Sequence, residues 1–453
     1  MIKVAFYTLG CKVNQYETEA IRESFRQHGA AIVPSEEPAD VYIVNTCTVT
    51  NMADRKSRQL IRRMKKINPD ALMVVTGCYA QVASEDLEKM PDVDLIVGNN
   101  LKSEIVPRVY ELLEGGPEQP ERTEILPYRE LAGYEDMGII TASETDMSRA
   151  YIKIQEGCNR FCSYCLIPYA RGNVRSRPLS EILEEAEMLL GEGFHELVLT
   201  GINTALYGAE EGFDFDRRPD EAELSGLEAV VRRLDEMDGD FRIRLSSLEP
   251  TVVDIGHIER IVRYDRLCHH LHLALQSGSD SVLRSMNRHY TKEEYLRIVN
   301  ALREYDPDFG ITTDIIVGFP GETEADFEET MDVVRRSGFG RTHIFRYSSR
   351  KGTRAADFSN MVPGSVRNER AHRLEALSEE VAREFEEKNY GRMHSVLIEK
   401  TEDGFATGYT ENYIRVYIPD AERRLQAGTF RDVRLIEHYK DGCLAETAEQ
   451  GRR

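Results

Sequence analysis

Short runs of β-prone residues, each followed by an amphipathic segment, recur along most of this 453-residue chain and limit what it can fold into. In the first 100 residues VAFYTLG, VYIVNT, ALMVVTG and DLIVG are such runs, with ETEAIRESFRQHG and LIRRMKKIN among the segments between them. Strands alternating with helices in this way form a parallel α/β sheet. The pattern returns from residue 151 as YIKIQ, ELVLTG, FRIRLSS, LHLALQ, ITTDIIVG and THIFRYS. Six β/α units in about 200 residues predict a partial (β/α)6 barrel rather than a complete eight-stranded one. Between the two series, residues 111–146 hold ten acidic residues, two arginines, a GGP and two further prolines. That is the composition of a linker or extended crossover. The insert GAEEGFDFDRRPDEAE reads as a solvated loop. After a Glu- and Arg-rich helix at 366–388, the tail carries only strand signals, SVLIEK, GFATGYT, IRVYI and FRDVRLIEHY, which predicts a small β-barrel. The expected fold is α/β, with an N-terminal parallel domain at 1–110, an acidic linker at 111–146, a barrel at 147–387 and a small β-barrel at 388–453.

The length suits two to four domains with a sizeable core. No apolar stretch approaches the roughly 18 residues that span a bilayer, and no signal-peptide pattern opens the chain, so the expectation is a cytoplasmic protein without membrane contact. Eight cysteines in that compartment argue for metal binding or redox chemistry over structural disulfides. A net charge of −21 argues against a chain coated for nucleic acid, although a local basic face is compatible with it.

The strongest chemical signal is EGCNRFCSYC, where Cys158, Cys162 and Cys165 form C-x3-C-x2-C directly after the first barrel strand. Three thiolates within eight residues can wrap one face of a soft metal centre. A closed zinc site wants four ligands, and no fourth cysteine or histidine lies close by. A [4Fe–4S] cluster also takes four ligands, so three thiolates leave one iron open. Catalytic groups of barrel enzymes sit at the C-terminal ends of the strands, where this motif falls.

C-x3-C-x2-C after the first strand of a six-unit barrel resembles the radical S-adenosylmethionine (SAM) superfamily. The resemblance implies that Cys158, Cys162 and Cys165 hold a [4Fe–4S] cluster whose open iron binds the methionine part of SAM. It also implies that an electron from the cluster cleaves SAM to a 5′-deoxyadenosyl radical. Phe161 and Tyr164 resemble the aromatics that shield such a cluster. In IIVGFPGET, residues Gly318, Pro320, Gly321 and Glu322 form a turn whose glycines permit close backbone approach, and it is similar to the superfamily's turn against SAM adenine. Gly201 and Asn203 in LTGIN, with Ser247 and Glu249 in SSLEP, follow strands two and three and are further SAM candidates.

An isolated cysteine is most often a buried packing residue. Cys11, Cys47 and Cys78, however, each follow a predicted N-terminal strand, and the C-terminal ends of an open parallel sheet border one crevice where ligands bind. Three ligands of a second cluster would share that placement, whereas packing residues have no reason to. Cys268 and Cys443 lack it and read as core residues, and His269, His270 and His272 read as packing or polar lining.

Two triple-cysteine sites on an α/β domain and a partial barrel, followed by a small β-barrel, resemble the methylthiotransferase family over essentially the whole chain. YARGNVRSRP, LHLALQSGSD, LRSMNRHYT and TGYTENYIRVYIP are further matching stretches. The resemblance implies two [4Fe–4S] clusters, SAM, a TRAM-like RNA-binding module at the C-terminus, and an electron donor such as flavodoxin or ferredoxin. Cys11, Cys47 and Cys78 would hold the auxiliary cluster that handles the inserted sulfur. GCKVNQYETEA and CTVTNMADRKSRQ are most similar to the bacterial branch acting on threonylcarbamoyl-adenosine in tRNA, which methylthiolates carbon 2 of that base at position 37, next to the anticodon. The alternatives are methylthiolation of isopentenyl-adenosine or of a ribosomal-protein aspartate. An alternative of another class is a non-catalytic iron–sulfur or zinc RNA-binding protein.

For RNA contact the candidates are three basic runs. DRKSRQLIRRMKK (54–66) has seven basic residues against one acidic, RTHIFRYSSRKGTR (341–354) has five and none acidic, and RGNVRSR adds three arginines. Phosphate contacts there would be salt-dependent. The tail from 388 carries eleven basic and eleven acidic residues, and Tyr409, Tyr413 or Tyr417 are its candidate base-stacking aromatics.

Overall fold

The computed structural model describes residues 1–115, 121–131, 133–138, 148–214, 216–250 and 255–448. The acidic segment expected at 111–146 lies partly outside them. The chain forms two compact units. One comprises Met1–Ala142, Lys153–Arg177 and Ser348–Ala356, and the other Ser143–Ile152, Pro178–Tyr347 and Asp357–Arg453.

Unit one is built on β1 (Lys3–Thr8), β2 (Ala31–Val33), β3 (Val41–Thr46), β4 (Leu72–Gly77), β5 (Leu95–Val97) and β6 (Thr123–Glu124), all parallel in the order β2-β1-β3-β4-β5-β6. The central strand VYIVNT is buried at every position, as expected where helices cover both faces. Its alternate side chains feed two cores. Tyr42 and Val44 pack with Ile61 and Met64 of α2 (Asn51–Ile67), and Val41 and Ile43 pack with Ile21 and Phe25 of α1 (Lys12–Gln27). The short α3 (Cys78–Val82) and α4 (Ser84–Glu88) follow β4, and α5 (Ile105–Glu114) adds Ile105, Val106 and Val109 to the second core. Thr50 starts α2 by accepting the Ala53 amide on its hydroxyl at 3.2 Å.

β7 (Arg149–Lys153) runs into β8 (Gln155–Glu156), which pairs antiparallel with β9 (Arg175–Ser176). The loop between β8 and β9 carries the C-x3-C-x2-C motif and the single turn α6 (Ile167–Arg171).

Unit two contains the expected six-stranded partial barrel. β10 (Glu196–Thr200) and β11 (Arg242–Leu245) join β7, while β12 (His270–His272), β13 (Gly310–Val317) and β14 (Arg341–Arg346) form a second parallel group. Parallel bridges at Ile243–Leu267 and Leu248–Leu273 connect the two groups. Around them run α7 (Leu179–Gly191), α8 (Gly226–Asp235), α9 (Ile255–Ile261), α10 (Asp280–Ser285), α11 (Lys292–Tyr305) and α12 (Glu324–Ser337), followed by the long α13 (Gly364–Lys388). The tail closes into a barrel of β15 (Met393–Glu402), β16 (Phe405–Thr410), β17 (Arg415–Pro419), β18 (Phe430–Tyr439) and β19 (Gly442–Thr447). Phe385 from the end of α13 lies in its core. Among the described residues, no helix is long and apolar enough to cross a membrane.

The small barrel is fastened to the N-terminal ends of the large barrel's strands by its β16–β17 turn. Tyr413 stacks on His270 with ring centroids 4.4 Å apart, and Arg244 lies 4.8 Å over the same ring. The Arg244 and Arg242 guanidiniums donate to the carbonyls of Thr410 (3.2 Å) and Tyr409 (3.0 Å) while being held by buried Glu196 at 2.9 and 2.6 Å. Asn412 approaches so closely that a Cβ on Gly310 would stand 2.0 Å from its carbonyl oxygen. This corrects the expectation that these tyrosines are free to stack on RNA bases. Tyr409 stacks on Tyr413 at 4.7 Å, and Tyr417 is 6% exposed with its hydroxyl on Asp441. Tyr417 is buried, while Tyr409 and Tyr413 are half-buried with their ring faces stacked on each other and on His270.

Candidate active site

β1, β3 and β4 are neighbours, with Thr8 opposite Asn45 and Thr46 opposite Gly77, so their C-terminal ends are level. Cys11, Cys47 and Cys78 leave these three ends side by side. The approach is tight. A Cβ on Gly10 (φ +116°) would lie 2.9 Å from Cβ and 3.3 Å from Sγ of Cys47. At Gly77 (φ +95°) a Cβ would lie 2.4 Å from both Asn45 Oδ1 and the Thr46 carbonyl, so only glycine fits before Cys78. Asn14 of α1 ties two strand ends by donating from Nδ2 to the carbonyls of Leu9 (2.7 Å) and Thr46 (3.0 Å). The loop after Cys47 is held by Arg350, which donates to Thr48 Oγ1, Asp54 Oδ2 and Asn51 Oδ1, each at 2.6 Å. Burial pushes the Cys47 thiol up to about 12, and nearby Cys78 and Cys11 add to that.

The second triad sits in the β8–β9 loop of the same unit. The Cys158 amide donates to the Gly172 carbonyl at 3.0 Å, the Cys165 amide to the Cys162 carbonyl at 3.0 Å, and the Ile167 amide to Cys165 Sγ at 3.4 Å. Phe161 holds a left-handed backbone (φ +48°), unusual for a bulky residue and typical of sites where the chain is bent around something. Its ring meets Tyr169 edge-on at 5.8 Å. Tyr164 is half-buried. Gly157 (φ +74°) admits no side chain, because a Cβ would be 1.7 Å from the Asn173 carbonyl oxygen.

All six cysteines are free thiols. Each triad offers three soft donors, and neither gathers them all within 4.8 Å of one another. Among the described residues the donor group that close comprises His272, Asp314 and His343. Three spaced thiolates suit an iron–sulfur cubane with one open iron better than a single zinc ion.

The largest departure from the sequence expectation is at RGNVRSR. Arg171, Arg175 and Arg177 are 0%, 4% and 2% exposed, so they meet no solvent-borne phosphate. Arg171 instead centres a buried network. Its Nε donates to Cys78 Sγ at 3.2 Å, Nη2 to Asn14 Oδ1 at 2.6 Å and to Glu17 Oε2 at 3.0 Å, and Nη1 to Glu156 Oε1 at 2.6 Å and to Glu17 Oε1. Glu17 also meets Lys102 (3.0 Å) and Lys153 (3.1 Å), and Lys153 meets Glu156 at 2.7 Å. Burial alone would lower the Arg171 pKa, but Cys78, Glu17 and Glu156 hold it well above the usual arginine range. Burial works against the Glu17 and Glu156 carboxylates, yet Arg171 and Lys153, with Lys102, hold both below the usual range. The signal that could have exposed this role was the sequence context, since an arginine six residues past Cys165 sits in the cluster loop itself. Arg350 of the second basic run is likewise buried, at 5%. Arg55, Lys56, Arg62, Arg63 and Lys66 of α2 are exposed.

The other predicted residues lie in unit two. Asn203 and Glu249 meet, with Nδ2 donating to Oε2 at 2.8 Å, and Arg288 stands 3.3 Å from the Glu249 carboxylate. Gly201 and Ser247 are half-buried beside them in the same two post-strand loops. The Gly318–Glu322 turn is closed internally: Glu322 accepts the Gly318 amide at 2.9 Å and Arg370 of α13 at 2.6 Å. Gly318 (φ +70°) is packed against the Arg367 side chain, Pro320 is buried and Gly321 (φ +85°) is exposed. Cys268 and Cys443 are buried, His269 pairs with Asp306 at 2.6 Å, and His270 and His272 share Thr312 Oγ1 at 3.0 Å.

Family models match in two places: one described as "Uncharacterized protein family UPF0004" at residues 3–98, and the Radical SAM superfamily at 152–334. The chain is 40% identical over 458 residues to the "Threonylcarbamoyladenosine tRNA methylthiotransferase MtaB" of Bacillus subtilis, covering 99% of this chain and 98% of that one. It is 36% identical to the "tRNA-2-methylthio-N(6)-dimethylallyladenosine synthase" of Carboxydothermus hydrogenoformans, covering 90% and 92%. Among solved structures it is similar in fold to the radical SAM methyltransferase TsrM from Kitasatospora setae, with TM-score 0.54, 14% identity, and 76% of this chain and 73% of that one covered.

Proposed function

The chain belongs to the radical SAM tRNA methylthiotransferase family, and from that premise we propose that it transfers a methylthio group to carbon 2 of N6-threonylcarbamoyladenosine at position 37 of tRNA. The observation that carries the reading is the pair of three-thiol sites in one unit, one at three level strand ends and one in the β8–β9 loop. The near full-length similarity to a threonylcarbamoyladenosine enzyme supports the choice of base.

In this reading Cys158, Cys162 and Cys165 hold one [4Fe–4S] cluster, and Cys11, Cys47 and Cys78 hold the other. Loaded with SAM, the two clusters supply the radical chemistry and the sulfur that an adenine C–H, poorly acidic and without a leaving group, requires. The chain's own contribution is placement and charge. Gly10, Gly77 and Gly157 let the chain pass close against Cys47, Asn45 and Asn173 respectively, where any Cβ would clash. The Cys47 thiol, held protonated by burial, must release its proton on loading, so uptake favours higher pH. Gly201, Asn203, Ser247, Glu249, Gly318, Pro320, Gly321 and Glu322 are assigned to SAM. Asn203 and Glu249 act as a fixed polar pair, and the carboxylate of Glu322 braces the turn whose backbone would face the adenine.

The division of labour in this reading is a methylthiotransferase domain at 1–110, an acidic linker at 111–146, a radical SAM barrel at 147–387 and a TRAM-like module at 388–453. The exposed cations of α2 are the phosphate contacts for tRNA. A cytoplasmic setting and a low-potential electron donor of the flavodoxin or ferredoxin class complete the reading.

The test is an anaerobic assay of the reconstituted chain with SAM, a reductant, and tRNA bearing either threonylcarbamoyladenosine or isopentenyladenosine. Methylthio product from the first substrate alone supports the reading. Product from the second alone moves the chain to the other branch, and iron-free protein with stoichiometric zinc sinks the enzyme reading.

A further inference from the structure

The Arg171–Gly172 dipeptide supports both cysteine triads at once. The Arg171 Nε–H points at Cys78 Sγ at 3.2 Å, and the Gly172 carbonyl accepts the Cys158 amide at 3.0 Å. The guanidinium cannot turn away, because Nη1 and Nη2 are spent on Glu17, Glu156 and Asn14, leaving Nε for the sulfur. Asn14 and Glu17 belong to α1, which begins one residue after Cys11. The same fork therefore registers the Cys11 helix, Cys78 and the Cys158–Cys165 loop against one another.

The charges around it do not cancel. Among the described residues and with every group ionised, the buried cations Arg171, Lys102 and Lys153 face the two carboxylates Glu17 and Glu156, an excess of one positive charge, and burial accordingly lowers the Lys102 pKa. Including Arg175, 3.8 Å from Glu156, and Glu135, which accepts from Ser103 beside Lys102, gives four against three and the same excess. A buried uncompensated cation is costly unless an anion stands close. The nearest candidate anion is the sulfur that Arg171 touches, once it is a thiolate bound to iron.

We propose that Arg171 is a positioning residue for the auxiliary centre. It is a permanently charged N–H donor on the Cys78 sulfur, and it raises the reduction potential of a cluster held by Cys11, Cys47 and Cys78. Hydrogen bonds to cluster sulfurs and nearby positive charge stabilise the more reduced state. Lysine cannot replace it, because one ammonium cannot serve Glu17, Glu156 and the sulfur in a fixed plane. The inference rests on the reading that those three thiols hold a cluster.

The experiment uses the full chain carrying Cys158→Ala, Cys162→Ala and Cys165→Ala, reconstituted anaerobically with iron and sulfide so that the auxiliary centre alone is loaded. Into this background go Arg171→Lys, and separately Arg171→Met with Glu17→Gln, which removes one cation and one carboxylate and so keeps the buried excess. Iron content, melting of the apo chain and a redox titration followed by electron paramagnetic resonance are read for each. The expected result is a shift of the auxiliary couple to more negative potential in both variants, larger in Arg171→Met/Glu17→Gln, with changed g-values and apo chains that remain folded. Should the double variant fail to fold, Arg171→Lys decides, since it retains the cation and loses the aimed donor. Potentials and spectra equal to the background in the folded variants overturn the proposal. A background chain that binds no iron overturns instead the cluster reading on which it rests.

Discussion

Replacing Glu17 with Gln removes the one carboxylate that Arg171, Lys102 and Lys153 share, in a place where Glu17 itself is 1% exposed. The amide is nearly isosteric, so the perturbation is charge rather than volume. Glu156 is left to face three buried cations. Breaking a buried ion pair from one side costs about 3–5 kcal/mol, and a carboxylate serving three cations belongs at the upper end, about 5 kcal/mol at pH 7. Against a folding free energy of about 5–15 kcal/mol, that brings unit one close to unfolding. The chain has no tryptophan, so far-UV circular dichroism during urea titration is the suitable probe, and urea leaves the charges unscreened where guanidinium would not. The sign with pH is fixed by the lowered carboxylate pKa of Glu17 in the folded chain. Its contribution is complete above the unfolded value of about 4.3 and is lost as pH falls below it. The gap between parent and Glu17→Gln is therefore widest at neutral pH and narrows in acid. A gap below about 1 kcal/mol at pH 7, the size of an exposed pair, would refute the reasoning, as would one that does not narrow below about pH 4.

Gly77→Ala places a Cβ 2.4 Å from Asn45 Oδ1 and the Thr46 carbonyl at φ +95°, so overpacking and backbone strain, about 1–3 kcal/mol each, displace Cys78. Iron per reconstituted chain should fall from about eight to about four, with a lowered melting temperature. Arg62→Ala/Arg63→Ala removes two exposed cations of α2. tRNA affinity should weaken, and the slope of log K against log salt, measured by filter binding, should become shallower by roughly 1.5. Glu196→Gln leaves Arg242 and Arg244 without their carboxylate beneath the β16–β17 turn. Hydrogen exchange should rise at Tyr409–Tyr413 and unit two should lose about 3–5 kcal/mol.

Strong, repeated signals were legible in the sequence. VYIVNT and ITTDIIVG are dense in β-branched residues and form β3 and β13 where expected, and the six-unit barrel and closed tail follow the same logic. The strands that escaped are those without such a signal. AIV of β2 is three residues long, TE of β6 and RS of β9 are two residues each, and GCLAET of β19 is rich in small residues. That Cys11, Cys47 and Cys78 each follow a strand could be read directly, but their adjacency depends on the strand order β1-β3-β4, which no local pattern encodes. RGNVRSR was misread for a related reason. A basic run looks solvent-facing until its partners are known, and Arg171 finds Glu17 154 residues away in sequence. Tyr413 likewise resembled an RNA-stacking ring because its true partner, His270, lies on a distant barrel strand.

What this chain does turns on the base it modifies. Mass spectrometry of nucleosides from total tRNA, with and without the gene, measures it directly. Deletion is expected to abolish the 2-methylthio derivative of threonylcarbamoyladenosine while unmodified threonylcarbamoyladenosine accumulates. Restoring the parent gene returns the product, and a Cys78→Ala gene does not. An unchanged methylthio-threonylcarbamoyladenosine level after deletion, or loss of the isopentenyl product in its place, would rule out threonylcarbamoyladenosine as the substrate of this chain.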